Sequence, residues 1–70
     1  MDILEFIAQR ILELCEERHI TPMELSHIAD ISESALRNIL NGKTKRPRIG
    51  TLFNICKGFG ISLAEFFHTI

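Results

Sequence analysis

Ser34, Arg37, Asn38 and Asn41 recur at the i, i+3, i+4, i+7 spacing that puts side chains on one stripe of a helix. Such groups can read base edges: arginine donates twice to guanine, and asparagine pairs bidentately with adenine in a major groove. Ala35, Leu36, Ile39 and Leu40 occupy the opposite face, so the segment has one apolar side and one chemically specific side. Lys43, Lys45, Arg46 and Arg48 follow at once, four cations within six residues. Cations at that density suit phosphates, while the stripe beside them suits bases. Together they point to double-stranded DNA as the ligand.

The elements that must hold this stripe are marked by local punctuation. Thr21-Pro22-Met23-Glu24 is a capping box with proline at the first helical position, where its missing N–H is not needed. Asp30-Ile31-Ser32 supplies a turn and then a new N-cap, and Gly42 is a left-handed stop for the helix that follows. Pro47 forbids a helix through the cationic segment, and Ser62-Leu63-Ala64-Glu65 is a second capping box after Gly60. The spacing predicts helices over about 2–18, 22–29, 33–41, 49–59 and 63–67, and no strand. The expected fold is an all-α, compact five-helix bundle forming one domain over residues 1–70. Its second and third helices, only about three residues apart, make a helix-turn-helix.

Bulk properties agree with one small globular domain. Seventy residues, 46% hydrophobic and 24% charged, lie near the lower limit for folding without staples and outside the range of a disordered tail. The net charge of −1 argues against a polyanionic ligand until its distribution is considered. Residues 1–30 hold seven acids and two bases, whereas Arg37 to Lys57 holds six bases and no acid. An acidic back with a basic front orients a protein on DNA, because local potential governs the encounter. No run is long enough to span a membrane, and the acids of Met1-Asp2-Ile3-Leu4-Glu5 occupy the place of a signal peptide's basic start. The expected compartment is the cytoplasm. Cys15 and Cys56 are too widely spaced for a disulfide framework and are read as small hydrophobes.

With these elements placed, the chain resembles the phage repressor and Cro group of helix-turn-helix regulators, the XRE-like family, over about residues 7–67. The resemblance rests on Arg10-Ile11 with Leu14, Thr21 with Leu25, Ile31-Ser32, and Gly60-Ile61-Ser62-Leu63 with Phe66. The run from Asn41 to Arg48 looks like the loop after the recognition helix in lambdoid phage repressors. The resemblance implies a lambda-repressor-like DNA-binding domain in which Glu33, Ser34, Arg37 and Asn38 meet base edges. It further implies phosphate contacts at Asn41, Lys43, Thr44, Lys45 and Arg46, and a minor-groove approach by Arg48. Three departures from the family's pattern involve four positions. Pro22 stands where relatives carry a bracing glutamine, Asp30 where a turn glycine is usual, and Cys15 with Leu40 where a buried Arg–Glu pair is frequent.

Glu33 admits two readings: an acceptor for a cytosine amino group, or a carboxylate favoured by the helix N-terminus. His19, His27 and His68 have no spacing that would assemble a metal site with the cysteines, and Ser26-His27 with Asp30 lacks a nucleophile elbow and an oxyanion donor. No catalysis, cofactor, metal or small-molecule ligand is expected. Phe66 suits the core, whereas Phe67 and Ile70 are assigned to a homodimer interface. The expected function is sequence-specific binding of double-stranded DNA as a transcriptional repressor. A protein-interaction module on the same fold and an antitoxin-type regulator are the alternatives.

Overall fold

The computed structural model describes residues 2–68, which form five helices: α1 (Ile3–Glu17), α2 (Pro22–Ile28), α3 (Glu33–Leu40), α4 (Ile49–Phe59) and α5 (Leu63–Phe66). Among the described residues there is no strand. Four helices start on side-chain caps. Asp2 accepts from the Leu4 N–H and so lies just outside α1, Ser32 accepts from the Ala35 N–H, and Thr21–Glu24 and Ser62–Glu65 are complete capping boxes.

Three helices end in the same way. His19, Asp30 and Gly60 adopt positive φ of 55°, 58° and 74°, and each is followed by an isoleucine. The N–H groups of Ile20, Ile31 and Ile61 return to the carbonyls of Cys15, Ser26 and Cys56 at 3.0 Å, and the three left-handed residues bond to Glu16, His27 and Lys57. This is the Schellman arrangement, which absorbs otherwise orphaned helix carbonyls. It also turns each isoleucine back onto the core, where all three are partly buried. Asp30 therefore performs the turn that glycine usually performs, since its short polar side chain tolerates the left-handed region. His19 does the same, histidine being with Asn and Asp among the non-glycine residues enriched in this region.

The core takes one face from every helix: Ile7, Ile11, Leu14 and Cys15 from α1, Leu25 from α2, Leu36 and Ile39 from α3, Leu52, Ile55, Cys56 and Phe59 from α4, and Phe66 from α5. Complete burial of a side chain such as Phe66 contributes about 1.5–3 kcal/mol. Burying Cys15 and Cys56 pushes both thiols up from their ordinary value. Ser26, the buried polar side chain, donates to the Met23 carbonyl at 2.6 Å. α1 packs on α2 and α3, α2 on α3 and α4, and α4 on α5, so α3 is gripped from behind by two helices. Its other face stays free.

The C-terminal turn departs from the arrangement drawn from sequence. Phe67 is half-buried, stacks on Phe6 of α1 with ring centroids 5.9 Å apart, and meets Phe66 edge to face at 5.0 Å. The residue assigned to an intermolecular contact thus has an intramolecular partner. Ile70 lies outside the described residues.

Candidate nucleic-acid interface

Leu36 and Ile39 anchor α3 in the core, and that fixes which side of the helix meets solvent. Glu33, Ser34, Arg37 and Asn41 are exposed and Asn38 is half-exposed, so the stripe singled out from spacing is one continuous surface. Glu33 is not isolated within it. One carboxylate oxygen lies 4.0 Å from Arg37 Nη2 on the same helix and the other lies 3.8 Å from His27 Nε2 on α2.

The segment after α3 is folded onto the helix end. Gly42 takes φ of 80°, Lys43 N–H donates to Asn41 Oδ1 at 3.1 Å, and Thr44 N–H donates to the Asn38 carbonyl at 3.0 Å. Asn41 therefore shapes the turn with its side chain, and the main chain of Asn38 holds the loop. Lys43, Lys45, Arg46 and Arg48 are exposed, and among the described residues none is within ion-pair distance of a carboxylate. Lys45 lines a groove with Asp2, the N-cap of α1, and Glu5 of α1, while Arg46 and Arg48 border a cleft with Thr44 and Thr51.

Thr51 was not singled out from sequence. It belongs to the first turn of α4, whose N-cap, Arg48, makes no side-chain hydrogen bond. The uncapped N–H groups and the helix dipole add positive potential beside Arg46 and Arg48. The sequence signal was available: α4 lacks the Ser, Thr or Asp that opens every other helix.

Two further cations face elsewhere. Arg10 Nε donates to the Phe66 carbonyl at 2.8 Å and its Nη2 to the Glu65 carbonyl at 3.2 Å, satisfying the end of α5. Arg18 Nε donates to the Phe59 carbonyl at 3.2 Å, and its guanidinium sits 5.3 Å from the Phe59 ring centroid. These arginines keep their charge but commit guanidinium donors to the fold, and they lie on the acidic side of the molecule, Arg18 3.9 Å from the Glu17 carboxylate. The free cations then cluster on α3, its loop and the start of α4, with Lys57 in the last turn of α4 lying over the Phe53 ring at 5.7 Å.

Among the described residues no three His, Cys, Asp or Glu side chains gather as a metal site, and no helix is long and apolar enough to cross a membrane. No curated protein and no solved structure matches the chain. The sequence model of the Cro/C1-type helix-turn-helix DNA-binding domain matches residues 10–70, which takes in all of α2 to α5 and the exposed stripe of α3. The chain therefore belongs to the Cro/C1-type family of helix-turn-helix DNA-binding domains.

Proposed function

We propose that this domain binds double-stranded DNA in a sequence-specific manner, inserts α3 into the major groove, and acts as a transcriptional repressor. The observation that carries the reading is the exposed stripe Ser34, Arg37, Asn38 and Asn41 abutting four cations without carboxylate partners. Base contacts fall to Ser34, Arg37 and Asn38, phosphate contacts to Asn41, Lys43, Thr44, Lys45 and Arg46, and a minor-groove contact to Arg48. A protein-binding module would have little use for four cations in six residues. Occlusion of a promoter by such a domain is the simplest way for it to repress.

One copy presents a small surface, and a two-fold pair would double it across half-sites about one helical turn apart. Phe67 and Ile70 are the residues we assign to that contact. The more exposed apolar pair Ile49 (67%) and Phe53 (51%) on α4 offers the competing surface. Sedimentation of Phe67→Ser beside Phe53→Ser decides between them, the interface variant being the one that shifts to monomer.

The test of function is selection of bound sequences from a random duplex pool at two salt concentrations. Enrichment of a common motif that survives at the higher salt supports base reading. Retention that is equal for all sequences and vanishes with salt would reduce the domain to a non-specific binder.

A further inference from the structure

The reading face contains a carboxylate, and electrostatics alone does not favour one there. Glu33 projects from the first turn of α3 among groups that meet phosphates, where its charge is repulsive. Its fold contribution is small: the pair with Arg37 is exposed, with 45% and 65% of the side chains accessible, and exposed i,i+4 ion pairs stabilise a helix only slightly. A favourable helix dipole explains a negative charge at this position. It does not explain why one oxygen faces His27 of α2 at 3.8 Å and the other faces Arg37 at 4.0 Å.

The first two positions of α2, Pro22 and Met23, are apolar, and the polar Thr21 and Glu24 beside them are bonded to each other in the capping box. Pro22 and Met23 line a cleft of about 340 Å³ whose other wall is made by Glu33, Leu36, Arg37, Leu40 and Asn41. Arg37 thus stands beside an apolar wall, and among the described residues the carboxylate within ion-pair distance of it is that of Glu33. Fixing the rotamers of a free arginine in advance reduces what binding must immobilise.

We propose that Glu33 is a positioning residue: held from α2 by His27, it sets the Arg37 guanidinium for a guanine and so determines preference at one G·C pair. This rests on the DNA reading above. Both separations exceed hydrogen-bond length, so the bridge is loose or water-mediated in the free protein and can tighten as the guanidinium engages a base. The guanidinium fork has enough donors to hold the carboxylate and the guanine O6 and N7 together.

The experiment measures affinities of the wild type, Glu33→Gln, Arg37→Ala, the double variant and His27→Ala for a selected duplex and its single-base variants. Thermal unfolding of each protein serves as the fold control. Arg37→Ala should lose about tenfold preference for one guanine. Glu33→Gln should lose most of the same preference, at the same position, while binding non-cognate duplex no more weakly than the wild type. The double variant should be no worse than Arg37→Ala, and His27→Ala should show a smaller loss at that position. An unchanged base profile in Glu33→Gln overturns the positioning role, and so does a loss at a different, cytosine position, which would make Glu33 a base reader itself. A wild type that binds DNA without any sequence preference instead overturns the sequence-specific reading, and this inference with it.

Discussion

Arg10 and Arg18 on α1 carry the same charge as Lys43, Lys45, Arg46 and Arg48 after α3, yet their donors end in different places. The first two are consumed within the fold, bonding to the last carbonyls of α5 and α4. The other four meet no carboxylate among the described residues and project from a loop held to α3 by main-chain bonds. Counting charge along the chain cannot distinguish the two sets. What separates them is whether an orphaned helix end lies within reach: guanidinium forks on a long helix can satisfy distant carbonyls, while a loop that leaves the core has none to satisfy. A cation's donors are free for a ligand only where the fold has not already engaged them.

That division can be broken most directly with salt. If a dimer engages roughly six phosphates through the loop cations, log affinity should fall against log salt with a slope of about −5, a loss of about a thousandfold between 50 and 200 mM. A fluorescence-anisotropy titration on a short duplex checks it, and a slope near zero would leave the four cations without a role.

Arg10→Ala should act on stability alone. Losing two charge-assisted hydrogen bonds to the α5 carbonyls costs about 1.5–3 kcal/mol, seen as a lower urea midpoint at unchanged m-value. Under conditions where the variant remains folded, its salt slope should equal that of the wild type.

Within the reading face, Asn38→Ala should cost about 1–3 kcal/mol of DNA affinity at one base position only. The bond that holds the loop runs to the Asn38 main-chain carbonyl, which the substitution leaves in place, so the loop and the fold should persist. Lys45→Ala should weaken all sequences alike, reduce the salt slope by about 1, and change stability by no more than about 0.5 kcal/mol. Competition assays with single-base duplex variants separate the two patterns.

The smallest effect is expected from the cysteines, which are inside the region that the fold has closed. Burial raises both thiols above the ordinary value of 9.0, so the folded state holds its protons longer than the unfolded chain. The associated stability is full below pH 9 and is lost as pH rises through the elevated folded values. Denaturation between pH 8 and 10.5 should show that decline, and a thiol reagent at pH 8 should label Cys15 and Cys56 only after unfolding.

The amino-acid sequence by itself determined where helices begin and which face of α3 is polar, because both are local. Thr21 with Glu24, Ser62 with Glu65, and Ser32 with Ala35 each make their bonds across three residues, and helical periodicity alone gathers Ser34, Arg37, Asn38 and Asn41. The Schellman endings were half legible. Glycine announces Gly60, while aspartate and histidine only tolerate the left-handed turn more readily than most residues; what the three share is the isoleucine that must return to the core. The separation of Arg10 and Arg18 from the loop cations was decided by tertiary structure, since their acceptors lie 41 to 56 residues away along the chain. Phe67 against Phe6 is of the same kind. So is the contact of Glu33 with His27, which exists only because the turn at Asp30 brings α2 beside the start of α3, whereas its i,i+4 pair with Arg37 is local to the helix. Side-chain chemistry and period are properties of a segment, whereas the partner that uses up a charge or a ring is supplied by packing distant segments together.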